Sequence, residues 1–283
     1  MAFGLRELRD KDLPQIRNLI SNASIYSTIL MRDAVQGFET FPGWWFGSLR
    51  DGTKLESIMA ILDHSAEIYS ESTDTVEAMA SHLKKTQAYT SSNKSNRHQI
   101  RGVKGVIDPF WKIFKDLGRQ LVSDAESTLM ASTADGSCAS KRIAMGFARP
   151  DDLGLVAEFS ALRLLEEKGN DPRRQGAQAF NARCASAIAD GRIVIGRDGA
   201  KPAFVAELRA ATETITLLDN VFIPAAFRTR KRLIGGALFK LKYAPPVRGK
   251  ELLFFADSPT MKMAAETAGY VEKAVYRTVV TVG

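Results

Sequence analysis

One short pattern, Arg-x-x-Asp-Leu, occurs twice in this chain. Arg9-Asp10-Lys11-Asp12-Leu13 returns 140 residues later as Arg149-Pro150-Asp151-Asp152-Leu153. Each copy follows a strand pattern and precedes a helical one. An offset near half of the 283 residues points to two similar domains in tandem, and the length itself favours two domains. The small polar run Ser132–Lys141, STADGSCASK, reads as the connection. The expected division is 1–131, a linker at 132–141, and 142–283.

In the first half, residues 5–9 form a short strand, and Asp12 with Pro14 opens a helix to about Ile20. Trp44–Leu49 and Leu55–Leu62 flank a turn at Arg50-Asp51-Gly52, a hairpin pattern. Ala66–Tyr69 is a further strand. Asp74, with Glu77 three residues on, caps a helix to about Gln87. His98–Val103 is a strand, Asp108-Pro109 starts a helix to about Leu117, and Ser127–Met130 is a last strand. Ser70-Glu71-Ser72-Thr73-Asp74 follows the central strand; it is acidic and lacks Gly, so no anion site is expected there.

The second half opens with a strand at Arg142–Ala148. A helix from about Asp151 to Lys168 is broken by Gly169-Asn170-Asp171-Pro172, and a second helix covers Gln175–Ala189. Strands follow at Arg192–Gly196 and Ala203–Leu208. Then Thr214–Leu218 and Val221–Ile223, β-branched or apolar, form a strand that Pro224 ends. After the basic loop come a buried strand at Glu251–Ala256, a small-residue helix at Thr260–Ala268 closed by Gly269, and a final strand at Tyr270–Val282.

The turn after Ile223 carries the densest charge. Arg228, Arg230, Lys231, Arg232, Lys240, Lys242, Arg248 and Lys250 fall between Val221 and Lys250 with no Asp or Glu among them. Gly235-Gly236-Ala237 is expected to open the following helix. Strand, basic loop and Gly-containing helix start suit a phosphate: the first-turn N–H groups and the helix dipole favour an anion, and small residues allow close approach. A solvated charged face is the alternative.

Residues 1–145 hold 18 Lys and Arg against 17 Asp and Glu, while 146–283 hold 21 against 15. The surplus behind the net charge of +7 therefore lies in the second half. A compact polyphosphate explains that placement better than a long nucleic-acid groove, and nucleic acid is not the expected partner. Two Cys make neither a disulfide framework nor a metal pair, and no metal is expected. The apolar runs are far short of the roughly 20 residues that span a membrane. The charged N-terminus lacks a signal-peptide core. A cytoplasmic protein is expected.

The order of these motifs resembles the Gcn5-related N-acetyltransferase (GNAT) superfamily, most clearly over Arg142–Val282. The resemblance rests on the Arg149–Leu153 opening, the three-strand meander, the strand Asp219–Ile223 with Pro224, the Arg-rich turn into Gly235-Gly236-Ala237-Leu238, and Ala268-Gly269-Tyr270, similar to the family's Leu-Gly-Phe. The first half resembles a degenerate domain of the same kind, and Glu166–Pro172 is similar to a bacterial subgroup with such a partner domain. The implied fold is α/β in the α+β sense: two tandem domains, each a mixed, largely antiparallel central sheet flanked by helices.

The resemblance implies an acetyl-CoA site and an N-acetyltransferase reaction, with a primary amine on a small molecule or protein attacking the thioester directly. The family's loop reads Arg/Gln-x-x-Gly-x-Gly/Ala. Here it falls on Arg230–Gly235, with Leu233 at the first Gly, or on Arg228–Leu233, which loses both small positions; the first register is preferred, with basic side chains supplying the phosphate contacts. The implied cofactor-binding residues are Val221, Phe222, Ile223, Arg228, Arg230, Lys231, Arg232, Leu233, Ile234, Gly235, Gly236 and Ala237. In the family the strand before the loop splays from its neighbour to hold the pantetheine arm, and a main-chain N–H there stabilises the oxyanion.

His64, His82 and His98 all lie in the first half, so the candidate bases are Asp219 and Glu207, each with a structural carboxylate as its alternative. The family's general-acid Tyr falls on Ala265; Tyr243 and Tyr270 remain as donors or core residues. Glu167 and Asp171 are candidates for binding the amine, or for capping the helix ends. Two other functions stay open: a non-catalytic protein that binds CoA or a partner on this fold, and a tandem aminoacyl transferase using charged tRNA. Acceptor, acyl length and oligomeric state are not legible.

Overall fold

The computed structural model describes residues 3–23, 44–50, 53–62, 65–70, 72–86, 98–115, 120–169, 171–210, 214–245 and 247–282. The chain divides into two compact units, 1–128 with 273–283, and 129–272. This differs from the division expected from sequence. The connection 132–141 folds with the second unit, and the last strand crosses back into the first.

In the first unit, β1 (Phe3–Glu7) leads through a 3-10 turn (Asp10–Asp12) into α1 (Leu13–Ala23). An antiparallel meander follows: β2 (Trp44–Arg50), β3 (Lys54–Leu62) and β4 (Ser65–Ser70). Then come α2 (Thr73–Thr86), β5 (His98–Val103), α3 (Lys104–Phe114) and β6 (Gln120–Ser132). β5 pairs parallel to β4, and the closing half of β12 (Tyr270–Val282) pairs antiparallel to β5. The sheet order is β1-β2-β3-β4-β5-β12-β6. Met59, Ile68, Val76, Met79, Ile100, Ile107, Phe110 and Val279 form its main core.

The second unit repeats the plan. β7 (Ile143–Phe147) and a 3-10 turn (Pro150–Asp152) lead into α4 (Leu153–Lys168) and α5 (Arg173–Ala189). The meander is β8 (Ile193–Asp198), β9 (Lys201–Ala210) and β10 (Ile215–Phe222). Then follow α6 (Lys231–Leu241), β11 (Glu251–Ala256), parallel to β10, and α7 (Pro259–Thr267). The order is β6-β11-β10-β9-β8-β7. Both units thus have a mixed, largely antiparallel sheet flanked by helices.

The recurring pentapeptide has a shared structural cause. In each copy the Asp carboxylate reaches back to the N–H three residues earlier, Asp12 to Arg9 and Asp152 to Arg149, both at 2.9 Å. The same Asp N–H donates to the same Arg carbonyl at 2.7 and 2.8 Å. Each carboxylate also takes an arginine from the adjoining sheet: Arg6 on Asp12 and Arg197 on Asp152. The turn fixes how each first helix leaves its strand, which explains why the residues recur.

Alternation along the strands decides which face each helix layer covers. Ile193, Ile195, Val205 and Phe222 pack under α4 and α5 with Phe159, Phe180 and Cys184. Val194, Phe204, Leu208, Leu218 and Phe254 pack under α6 and α7 with Leu233, Ile234, Leu238, Ala264 and Ala265. Ser258 caps α7, its Oγ accepting from Met261 N–H at 3.2 Å, with Pro259 at the first helical position. Gly269, at φ +80°, supplies the left-handed exit.

Three expectations change. α3 begins at Lys104, and Pro109 lies inside it rather than at its start, because the extra turn buries Ile107 completely. β6 runs Gln120–Ser132 instead of Ser127–Met130; its first seven residues are all exposed and mostly polar, so no apolar pattern marks them. The helix after the basic loop opens at Lys231, four residues before Gly235.

Candidate functional site

β10 and β11 form a parallel ladder only from Ile215–Glu251 to Leu218–Phe254, although β10 continues to Phe222 and β11 to Ala256. The ladder between the two strands stops before Asp219. On its other edge β10 gains a residue against β9: Asp219 pairs with Glu207, but Phe222 pairs with Val205. One extra residue within three makes a β-bulge. Asn220 sits there at φ +52°, the one non-glycine with positive φ among the described residues. Val221 is half-buried against the α6 side, whereas Phe222 is buried under α4.

Beyond Pro224, a 3-10 turn (Ala225–Phe227) brings the chain to α6. Of the six amides from Arg228 to Leu233, four already donate: Arg228 to Ala225 O, Arg230 to Phe227 O, Lys231 to Thr229 O and Leu233 to Arg230 O. The amides of Thr229 and Arg232 make no such bond, so two N–H groups at a helix start are available to an anion.

Six of the eight basic residues, those from Arg228 to Lys242, divide by partner. Arg228 holds Glu166 through a two-oxygen contact at 2.8 and 2.7 Å and donates Nε to Ile223 O at 2.8 Å. Arg230 reaches Asp198, which Arg142 also contacts. Lys240 donates to the carbonyls of Lys141 and Ile143. Lys242 is buried and donates to Asp135 O and Ala268 O at 2.5 and 3.1 Å; desolvation lowers its pKa. These two lysines fasten the connection 132–141 to the second unit. Among the described residues, Lys231 touches only the Met263 sulfur, at 3.5 Å, and Arg232 is exposed with no carboxylate on it. The cations left for a ligand at the helix start are therefore Lys231 and Arg232.

Gly235, Gly236 and Ala237 are interior to α6 and do not form its opening turn. A Cβ on Gly235 would meet Ala264 O at 3.0 Å, and one on Gly236 would meet Ser140 O at 2.6 Å. Both glycines let other backbone approach the helix. Leu233 is 7% exposed and belongs to the core with Phe227, Ile234 and Leu238, so its side chain points away from the helix start.

Glu207, on β9, is 6% exposed and fully engaged. It accepts from Arg192, from Arg209 at 3.1 Å and from Asn220 Nδ2 at 2.6 Å. Asp219 is half-exposed, accepts Asn220 N–H at 2.8 Å and lies 3.7 Å from Arg209 Nε. Asp171 is clasped by Arg173, whose side chain and main-chain N–H hold its carboxylate down at a pKa of about 2; it lies just before Pro172, the N-cap of α5, and accepts that helix's first N–H. The Glu167 side chain lies outside the described residues, and Glu167 itself is on α4.

Ala265 is fully buried. Tyr270 is buried with its hydroxyl donating to Leu238 O at 3.0 Å, and desolvation drives its pKa upward. Tyr243 is 54% exposed and packs on Phe239. In the first unit, the turn equivalent to the basic loop is closed by its own hydroxyls. Ser70 Oγ bonds Ser72 N–H, Ser72 O and Thr75 Oγ1, and Thr75 Oγ1 also donates to Ser72 O.

Sequence reasoning missed Asn220. A signal was present, because Asn is among the few non-glycine residues that adopt left-handed backbone, and it interrupts an otherwise apolar strand.

No protein-family model matches the chain, and no curated protein matches it. Solved structures do. A GCN5-related N-acetyltransferase from Sphaerobacter thermophilus superposes at TM-score 0.62 and 14% identity, over 98% of this chain and 95% of that one. A GNAT-family acetyltransferase from Colwellia psychrerythraea gives 0.59 and 14%, over 99% and 100%. A tandem GNAT protein from the clavulanic acid biosynthesis pathway gives 0.60 and 10%, over 100% and 99%. The chain has the tandem GNAT fold. Among the described residues no helix is long and apolar enough to cross a membrane.

Proposed function

We propose that the protein is an acetyl-CoA-dependent N-acetyltransferase whose working site lies in the second unit. The observation that carries this reading is the parting of β10 from β11 beside a helix start with free N–H groups and two uncommitted cations. The gap suits an extended thioester arm, and the helix start suits its pyrophosphate. Lys231 and Arg232 would neutralise the phosphates, with the Thr229 and Arg232 amides as donors. Arg228 and Arg230, committed to Glu166 and Asp198, shape the loop.

Bound acetyl-CoA supplies an acyl thioester, and attack by a primary amine forms the C–N bond as the C–S bond breaks. The Val221 main chain, just past the bulge, would supply the donor for the charge that develops on the carbonyl oxygen. Asp219 is the better placed carboxylate to take the ammonium proton through water, being half-exposed where Glu207 is enclosed. The buried Ala265 and the committed Tyr270 hydroxyl leave the thiolate to take its proton from water.

The first unit is read as a partner domain without its own acyl-CoA site, since hydroxyls fill the equivalent turn. Free Cys138 and Cys184 fit a reducing, cytoplasmic setting. The test is calorimetry and thermal shift with acetyl-CoA and CoA, with charged tRNA as the competing ligand, followed by thiol release with a panel of amines. A second reading is favoured by Ala265: a CoA-binding protein without turnover. Tight acetyl-CoA binding with no thiol release from any amine would select it, and failure to bind either nucleotide would refute both.

A further inference from the structure

Glu207 and Asn220 are joined in a way that neither sequence pattern nor the acyl-transfer reading requires. A non-glycine in the left-handed region is uncommon, and asparagine is among the residues that tolerate it. Asn220 occupies that region at the extra position of the β10 bulge. Its main-chain N–H donates to the neighbouring Asp219 at 2.8 Å, and its Nδ2 donates across to Glu207 at 2.6 Å. Glu207 cannot turn away from that contact, because Arg192 and Arg209 hold the same carboxylate and the side chain is 6% exposed. A buried charge held on three sides fixes its own rotamer and, through it, that of Asn220.

We infer that Glu207 is a positioning residue and not a proton acceptor. It latches Asn220, and thereby the bulge, so that the main chain of Val221 is held toward the acyl carbonyl. The inference rests on the acetyl-CoA reading above and concerns how that site recognises the acetyl group.

The experiment measures the ratio of CoA to acetyl-CoA dissociation constants by calorimetry. The ratio isolates the acetyl group, since the two ligands share everything else. Wild-type, Asn220→Ala, Glu207→Leu and Glu207→Gln proteins are compared. A hydrogen bond from the bulge to the carbonyl is worth about fivefold in that ratio. The ratio should fall toward one in Asn220→Ala and Glu207→Leu while CoA affinity stays within about twofold. Glu207→Gln keeps an oxygen that can accept from Asn220, so it should retain the wild-type ratio even if it melts earlier.

An unchanged ratio in Asn220→Ala overturns the inference, as does a collapse in Glu207→Gln as large as in Glu207→Leu. Should Glu207→Leu fail to fold, Asn220→Ala and Glu207→Gln decide alone. A wild-type ratio near one refutes the latch and leaves the cofactor reading standing. A wild type that binds neither ligand refutes that reading, and the latch with it.

Discussion

Leu233 separates a working loop from a damaged one. It stands where the family pattern has a glycine, yet its side chain is 7% exposed among core residues of α6 and the preceding turn. Truncating a buried leucine to alanine costs about 2–5 kcal/mol. Glycine instead of alanine adds up to about 1 kcal/mol of helix propensity, less in a first turn. Leu233→Gly should therefore destabilise the second unit by about 3–5 kcal/mol, with Leu233→Ala about 1 kcal/mol milder. At about 2–4 °C per kcal/mol, the transition should drop by about 10 °C. Differential scanning calorimetry reads this without assuming one transition for a two-unit chain, and titration with CoA at 15 °C, where the variant stays folded, reads the affinity. Unchanged or weaker CoA binding with a large loss of stability is expected. Tighter binding with little loss would mean that the leucine obstructs the pyrophosphate path, contrary to its placement in the core.

Charge reversal should discriminate among the loop cations. Arg232→Glu should weaken CoA binding by about 1.5–3 kcal/mol, as for a lost charge-assisted contact, and more than Arg230→Glu, because Arg230 is already engaged with Asp198; the reverse ranking in calorimetry would sink this assignment. Gly236→Ala should lower the melting temperature more than Gly235→Ala, since its Cβ meets a carbonyl at 2.6 Å against 3.0 Å, and a stabilised Gly236→Ala would contradict the packing role. Stability should also depend on pH through Asp12, whose pKa the Arg6 guanidinium holds down at about 2 from an ordinary 3.8. A depressed folded-state pKa contributes stability above about pH 4 that is lost as pH falls through about 2. The contribution is about 1–2 kcal/mol, since Arg6 is half-exposed. Acid denaturation of Arg6→Ala should lack most of that slope, and an unaltered profile would show the pair to be inert.

Much of the second unit was legible because its signals are local. β11 and β12 fall on the residues their apolar runs indicate, and Gly269 closes α7 as capping chemistry requires. The repeated Arg-x-x-Asp-Leu pattern was legible because the same short backbone turn, closed by the Asp carboxylate, occurs in both places. What sequence could not reveal is pairing at long range. Nothing local in Tyr270–Val282 says that its closing half completes the first unit's sheet, since Val279 and Tyr276 would suit a core in either place.

That Gly235-Gly236 lie inside α6 and do not open it was missed for a related reason. Glycine permits close approach, but the sequence does not say by what. Beside a basic loop the expected visitor is a phosphate, and in the folded chain it is the carbonyls of Ala264 and Ser140. The consequence for function is direct. With the glycines spent on packing, and four of six loop amides already donating, the proposed phosphate recognition at the helix start would fall to Lys231, Arg232 and two N–H groups. Side-chain ammonium and guanidinium contacts are screened by salt far more than enclosed main-chain donors are. CoA affinity should consequently fall steeply between 50 mM and 500 mM salt, and the slope should flatten in Lys231→Gln combined with Arg232→Gln. Salt-independent affinity would place the phosphates elsewhere, because no other group at this turn is both charged and uncommitted among the described residues.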